Sequence, residues 1–384
     1  DLDIDADQLG AGDLDGDGFA ELLIRSDNGE ITVYWGAPDG IDPSRCTALP
    51  ISGERVEDAV SELDKASNEY IQDAKPLVQI IQVDGQPHIF VALVGRALLV
   101  PVDSDRHFLQ PLTFACAQPM AAAVGDVNGN GHQDLVFACR EPNGEQESEQ
   151  SWIYWGNGNA FSEQRRTSLP TYRACDVALG DLDGDGRDDI VICHGYTSDW
   201  NTRDSLLFRG GTEIGEPVGL TSHDGRRVFV ARPTGVGNPD VVFVNHQGRQ
   251  KTETVDISIY PGEADGYSEH RRQDLPGFGA VCALCCDVDD DGRADLVLIN
   301  SAHNTPSRDP GSYIYRNDEG FSAPPTWILP TDLPHGACCA DFDRDGYLDL
   351  VFGCTKNAEI QIFHGGPEGP GSAPERVRLD EAFT

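Results

Sequence analysis

Five segments place carboxylates or amides on alternate residues of a glycine-bearing loop. They are Gly12-Asp-Leu-Asp-Gly-Asp-Gly18, Gly125-Asp-Val-Asn-Gly-Asn-Gly131, Gly180-Asp-Leu-Asp-Gly-Asp-Gly186, Cys286-Asp-Val-Asp-Asp-Asp-Gly292 and Ala340-Asp-Phe-Asp-Arg-Asp-Gly346. The chemistry this spacing suits is capture of a hard divalent cation, because calcium takes six to eight oxygens in a flexible cage. Position 1 is Asp13, Asp126, Asp181, Asp287 or Asp341, and position 3 is Asp15, Asn128, Asp183, Asp289 or Asp343. Position 5 is Asp17, Asn130, Asp185, Asp291 or Asp345. Glycine at position 6 permits the sharp turn. Position 7 is expected to give a backbone carbonyl (Phe19, His132, Arg187, Arg293, Tyr347). Position 9 is expected to close the cage with Glu21, Asp134, Asp189, Asp295 or Asp349.

An EF-hand shares the first half of this pattern but needs a glutamate at position 12 and flanking helices. Position 12 here is Ile24, Phe137, Ile192, Leu298 or Phe352, inside an apolar run, so the EF-hand is excluded. Asp/Gly/Asn clusters also make ordinary turns, but five copies in one register argue for metal. The loop with Asn128 and Asn130 retains only two carboxylates, Asp126 and Asp134, and is expected to bind most weakly. About five structural calcium ions per chain are expected. They would offset ten of the net negative charges of a chain whose formal charge is −37.

The elements that must position these loops repeat with them. The first aspartates are separated by one or two periods of roughly 55 residues, which is blade-sized. Two further units fill the double gaps. Leu77 to Ala92 reads as two strands around a tight Asp84-Gly85 hairpin. Val228 to Val244 keeps Asp240 at the ninth position, with Arg232 where the first ligand would stand. We expect that guanidinium to replace the ion. Each unit reads as four short strands. The third ends in a recurring signature: Val33-Tyr-Trp-Gly36, Ile153-Tyr-Trp-Gly156, Ile259-Tyr-Pro-Gly262, Ile314-Tyr-Arg-Asn317 and Ile362-Phe-His-Gly365. β-Branched and aromatic residues bounded by glycine favour strands. Seven such units predict an all-β fold, a seven-bladed β-propeller of four-stranded antiparallel blades. The blades are placed at about 1–53, 72–113, 114–170, 171–222, 223–275, 276–330 and 331–384, in one domain. Residues 54–74 are polar and read as a helical or irregular insertion.

Gly-Asp-x-Asp-Gly-Asp-Gly followed by an aspartate and a β run, then a Tyr-Trp-Gly third strand, resembles the FG-GAP/VCBS repeat family. That family includes the integrin α-subunit propeller, bacterial surface and secreted proteins, lectin-like propellers and propeller-type polysaccharide lyases. The resemblance is strong in five units and weak in the second and fifth. It implies calcium in the loop between first and second strands, and loops between second and third strands opening on the opposite face. Those opposite loops are long at Arg140 to Ser151, His194 to Asp204, Asn245 to Val255 and Asn300 to Gly311. They gather His194, Tyr196, Trp200, Arg203, His246, Arg249, His303 and Arg308, in a chain where basic and aromatic groups are scarce. Solvated loops with packed aromatics would look the same. Loops nevertheless carry binding function more often than scaffolds do.

Three function classes follow: a recognition or adhesion module for a glycan or extracellular protein, a structural subunit of a surface or filament assembly, and a polysaccharide lyase. No P-loop, nucleophile elbow or zinc spacing marks a catalytic set. The acidic charge argues against nucleic acid, which needs a basic surface. No apolar run is long enough for a membrane helix. Multi-carboxylate loops fill at extracellular calcium levels, so an exported, cell-surface or periplasmic protein is expected, with self-assembly or fusion to other domains as further possibilities. The 11 cysteines read first as small buried hydrophobes at equivalent core positions, such as Cys139, Cys193 and Cys354. Disulfides between neighbouring strands and a redox or metal role stay open.

Overall fold

The computed structural model describes residues 8–25, 30–38, 41–42, 44–51, 78–93, 95–140, 149–158, 161–195, 204–231, 237–248, 252–264, 266–301, 309–318, 320–354 and 359–378. The expected insertion at 54–74 and Arg232 lie outside them. The fold is all-β, with seven four-stranded antiparallel sheets that follow one another along the chain as the blades of a β-propeller. In each sheet the strands lie side by side in chain order. By internal contacts the chain divides into two compact units, Asp1–Val177 with Gly210–Glu213, and Ala178–Arg209 with Ile214–Thr384.

In the first unit, sheet 1 comprises β1 (Gln8–Gly12), β2 (Glu21–Arg25), β3 (Ile31–Tyr34) and β4 (Cys46–Ala48). Sheet 2 comprises β5 (Val78–Val83), β6 (Gln86–Leu93), β7 (Arg96–Pro101) and β8 (Leu112–Ala115). Sheet 3 comprises β9 (Gln118–Gly125), β10 (Asp134–Arg140), β11 (Glu149–Tyr154) and β12 (Arg166–Thr171). Sheet 4 comprises β13 (Ala174–Gly180), which begins in the first unit, and β14 (Asp189–His194), β15 (Ser205–Phe208) and β16 (Val218–Leu220), which belong to the second. Also in the second unit, sheet 5 comprises β17 (Gly225–Ala231), β18 (Asn238–Asn245), β19 (Ile257–Gly262) and β20 (Gln273–Leu275). Sheet 6 comprises β21 (Ala280–Cys286), β22 (Asp295–Asn300), β23 (Ser312–Tyr315) and β24 (Trp327–Leu329). Sheet 7 comprises β25 (Pro334–Ala340), β26 (Asp349–Cys354), β27 (Glu359–Phe363) and β28 (Glu375–Arg378).

The second strands of sheets 2 to 6 are buried on both faces along nearly their whole length, which is why these runs are apolar without alternation. β6 shows how the two faces are shared. Ile89, Val91 and Leu93 pack with Leu23, Ile31 and Val33 of sheet 1. Phe90 and Ala92 point the other way, onto Leu135, Phe137 and Tyr154 of sheet 3. β22 repeats the arrangement, with Leu296 and Leu298 toward sheet 5 and Val297 and Ile299 toward sheet 7. Period-two side-chain direction thus builds one apolar layer on each side of a blade.

The third-strand signature has a physical reason. In sheets 3, 5 and 6 its tyrosine hydroxyl leaves the buried ring and donates to a backbone carbonyl at or just past the last strand of the preceding sheet. Tyr154 reaches Ala115 O at 3.1 Å, Tyr260 reaches Thr221 O at 2.9 Å and Tyr315 reaches Pro276 O at 2.5 Å. A buried hydroxyl needs such a partner. In sheet 2, Asp84 (φ 48°) and Gly85 (φ 75°) form the tight hairpin expected there, with Val83 paired to Gln86. Asp84 also exchanges two hydrogen bonds with Gln133 of sheet 3: its N donates to Gln133 Oε1 at 2.6 Å, and Gln133 N donates to its Oδ1 at 3.1 Å. The shrunken unit therefore still grips its neighbour's acidic loop.

Candidate metal centres

Each acidic loop is wound onto its own carboxylates. In sheet 4, Asp181 Oδ1 accepts from Gly184 N at 2.7 Å and from Asp185 N at 3.1 Å, and its Oδ2 accepts from Gly186 N at 3.0 Å. Asp185 Oδ1 accepts from Arg187 N at 2.9 Å. The position-1 bond to the position-6 glycine recurs from Asp13, Asp126, Asp287 and Asp341. Gly186 has φ 84°, and the other position-6 glycines are also left-handed. Position 4 is left-handed too. It is glycine in three loops, but Asp290 (φ 57°) and Arg344 (φ 64°) hold the same turn in sheets 6 and 7.

Winding the loop brings the side chains of positions 1, 3 and 5 together. Asp13, Asp15 and Asp17 each offer an oxygen within 4.8 Å of the others, as do Asp181, Asp183 and Asp185, Asp287, Asp289 and Asp291, and Asp341, Asp343 and Asp345. The loop of sheet 3, with its two asparagines, forms no such triplet among the described residues. There Asn128 Nδ2 donates to both oxygens of Asp134, at 3.2 and 3.1 Å. The amide supplies what a cation would supply elsewhere.

The ninth residue is placed differently from the other three. Glu21, Asp134, Asp189, Asp295 and Asp349 are all buried, at 0 to 1% exposure. Each accepts from the backbone N–H of position 2, as Asp295 Oδ2 does from Val288 N at 3.1 Å. In four sheets the other oxygen accepts from the residue ending the third-strand signature: Gly36, Gly156, Asn317 or Gly365. One carboxylate thus clips the loop to two strands. Asp240 accepts from Gly262 N at 2.8 Å in the same way, although sheet 5 lacks the other loop acids. Among the described residues, it is in sheet 7 alone that the ninth residue joins a ligand-like group, with Asp343 and His364.

Burial moves these carboxyls up. Desolvation pushes Asp134 and Asp295 to about 6, against the backbone bonds that favour the ionised form. Glu21 and Asp240 are raised for the same reason. Asp349 is held low instead. Its burial is outweighed by the Gly365 and Phe342 amides and by His364.

Basic groups lean over four of the five loops, and none of them was singled out in the sequence as part of a centre. Arg209 Nη1 lies 2.7 Å from Asp189 Oδ2 and 3.4 Å from Asp183 Oδ2. Arg316 Nε lies 2.5 Å from Asp289 Oδ2, and its Nη2 lies 3.2 Å from Asp291 Oδ2. His364 Nδ1 lies 3.5 Å from Asp343 and 3.3 Å from Asp349. These three occupy one position, the residue before the Gly or Asn that ends the third strand. Trp35 and Trp155 fill it in sheets 1 and 3. In sheet 1 the cation comes from sheet 2: Arg106 Nε lies 2.6 Å from Asp15 Oδ2, and the guanidinium sits over the Trp35 ring at 5.1 Å. The signal for Arg316 and His364 was present in Tyr-Arg-Asn and Phe-His-Gly. Arg106 had no local signal, because it arrives from another sheet.

A hard cation fits this donor set. Asp289 Oδ1 is buried and has no hydrogen-bond partner, while its Oδ2 faces Arg316. An orphaned buried carboxylate oxygen is costly unless a cation meets it. With Asp287 and Asp291 alongside, the oxygen-only set suits calcium or magnesium rather than a softer metal.

Of the residues expected on the opposite loops, Tyr196, Trp200, Arg203, Arg249, His303 and Arg308 lie outside the described residues. His194 and His246 are buried, at 3% and 5% exposure. Their Nδ1 atoms lie 2.9 Å from Asp204 O and 3.2 Å from Ala280 O. Both imidazoles are thus buried with a backbone carbonyl beside one ring nitrogen.

Comparison with known proteins agrees with this anatomy. The FG-GAP-like repeat matches residues 126–192 and 287–352, and the FG-GAP repeat matches residues 6–34. No curated protein matches the chain. Among solved structures, the BBS1N chain in a complex with ARL6DN soaked with lead aligns at 11% identity with a TM-score of 0.50, covering 99% of this chain and 95% of that one. The same complex soaked with mercury aligns at 13% identity with a TM-score of 0.51, covering 99% and 93%. At such identities the likeness is one of fold. The matched repeats contain the acidic loops of sheets 1, 3, 4, 6 and 7, so the chain carries FG-GAP and FG-GAP-like repeats.

Proposed function

We propose that this chain is an exported, calcium-pinned propeller that serves as a recognition module for a protein or glycan ligand. The observation carrying the calcium part is the buried, partnerless Oδ1 of Asp289 within the Asp287–Asp289–Asp291 triplet. Calcium supplies positive charge to carboxylates that otherwise repel one another. Asp287, Asp289 and Asp291 would hold it in sheet 6, with the corresponding triplets in sheets 1, 4 and 7. The ninth-position acids orient the loops by clipping them to the second and third strands. Because a folded loop is needed to assemble each triplet, ion binding adds to folding stability. These loops bond mainly to themselves and to their own sheet, so ligand recognition falls to other loops.

A protein ligand is the first reading, since the fold neighbours are of a propeller described in complex with a protein. The long loops between second and third strands in sheets 4 to 6, with Trp200, Arg203, Arg249 and Arg308, are the proposed contact region. The test is an array of extracellular proteins and glycans, probed with the wild-type chain and a Trp200→Ala/Arg203→Ala variant. The reading expects stable binding by the wild type, lost in the variant at unchanged melting temperature. Depletion of an acidic polysaccharide with new uronate double bonds would favour a lyase instead. Calcium-driven assembly without any array binding would favour a structural subunit.

A further inference from the structure

The junction between sheets 6 and 7 differs chemically from its equivalents. The residue just before the first loop aspartate is glycine in sheets 1 and 4. A Cβ on Gly12 would lie 3.0 Å from Ile80 of the next sheet, and a Cβ on Gly180 would lie 2.9 Å from Val230 of the next sheet. First strands therefore abut closely at this level, with a glycine facing a β-branched side chain. At the junction of β21 and β25 the same two positions are Cys286 and Cys339. A side chain stands where glycine stood, and a smaller one stands where valine stood. Both residues belong to one apolar cluster between the two sheets, and both are thiols. The two thiols share a hydrogen bond.

We propose that Cys286 and Cys339 form a redox-active dithiol that closes to a disulfide joining the first strands of sheets 6 and 7. Cys339 is half-buried and Cys286 is buried, which assigns the roles. Cys339 is the attacking sulfur, since a small disulfide can reach it. As in any thiol–disulfide exchange, the deprotonated sulfur is the nucleophile. The co-reactant is a low-molecular-weight disulfide such as oxidised glutathione. The Cys339 thiolate attacks one of its sulfurs, forms a mixed disulfide and releases one glutathione thiolate. Cys286 then loses its proton to solvent and attacks Cys339 Sγ. The second glutathione thiolate leaves, and the Cys286–Cys339 bond remains. Two protein thiols are oxidised as one external disulfide is reduced. The bond would join the two strands covalently.

The test incubates the full chain with oxidised glutathione, alkylates the remaining thiols, and maps peptides by mass spectrometry. The expected product is a Cys286–Cys339 link, lighter by two hydrogens, with Cys285 and Cys338 alkylated. Cys286→Ser should trap glutathione on Cys339, because the resolving thiol is gone, and Cys339→Ser should take up none at Cys286. The oxidised wild type should melt at a higher temperature than the reduced form. Three outcomes would overturn the proposal: alkylation of both Cys286 and Cys339 after oxidation, a stable glutathione adduct on Cys339 in the wild type, or a link through Cys285 or Cys338.

Discussion

Arg209 Nη1 lies 2.7 Å from Asp189 Oδ2, and the same nitrogen lies 3.4 Å from Asp183 Oδ2. One guanidinium from the end of a third strand therefore spans the clip residue and an acidic-triplet residue of the same loop. Arg316 and His364 stand at the same position in sheets 6 and 7. The four-carboxylate loops each have a basic group over them, supplied to sheet 1 by Arg106 of sheet 2, and the loop with two carboxylates has Asn128 donating to Asp134 instead. The sheet thus matches local positive charge to the number of loop acids.

Replacing that cation should separate its two effects. Arg209→Met removes a positive charge that competes with an ion for Asp183. Calcium affinity at that loop should rise, on the order of tenfold, while the calcium-free protein becomes less stable. Calorimetric calcium titration of wild type and variant, with urea unfolding in chelator, measures both. Unchanged affinity with lowered stability would assign Arg209 to the clip alone.

Asp240 should behave as a clip without a metal. It is 4% exposed and accepts from Gly262 N, in a sheet without the triplet of acids. Asp240→Ala should destabilise the chain by about 1–3 kcal/mol, the cost of a buried N–H left unpaired. Its calcium stoichiometry should equal that of the wild type. A lost ion would show that the ninth position is primarily a ligand. Asp295→Ala should lower stability and also weaken the sheet 6 site, because that loop depends on the same clip.

The raised carboxyls set a pH dependence for the calcium-free protein. Asp134 and Asp295 titrate at about 6 in the fold, against an ordinary value of about 4 in the unfolded chain. Between those values the native state binds more protons than the unfolded state. Stability from these groups is therefore present below about pH 4 and lost as pH rises through about 6, by up to about 3 kcal/mol for each. Asp349, Asp185 and Asp291 are lowered and work in the opposite direction, at more acidic pH. Urea unfolding in chelator from pH 4.5 to 7.5 should show falling stability (these limits span roughly the window just derived). Saturating calcium should flatten the fall, because an ion nearby favours the ionised carboxylates. A rise with pH in chelator would contradict the burial argument.

Much of this was legible in the residues. The alternation Asp-x-Asp-x-Asp-Gly specifies a wound loop, and apolar runs such as Leu296–Ile299 specify strands covered on both faces. The hairpin at Asp84-Gly85 followed from its need for two left-handed residues. The role of the ninth residue was less legible, because its partners, such as Gly156 N for Asp134, lie far along the chain. Asp240 held the hint, persisting where the other acids did not. The contacts of Arg106 with Asp15 and Asp17 had no local trace, since strand packing alone brings them together. His194 and His246 looked like ligand-face residues because their loops are long. Each stands at the end of a buried second strand, with a backbone carbonyl beside one ring nitrogen.

The most direct test of the account is metal counting on the purified chain, paired with thermal melting in calcium and in chelator. Four tightly held calcium ions are expected, in the loops of sheets 1, 4, 6 and 7, with a fifth in sheet 3 filling only at higher concentration. The melting temperature should fall on chelation and return when calcium is restored. Fewer than three ions per chain, or a melting temperature indifferent to chelator, would contradict the claim that calcium pins these loops.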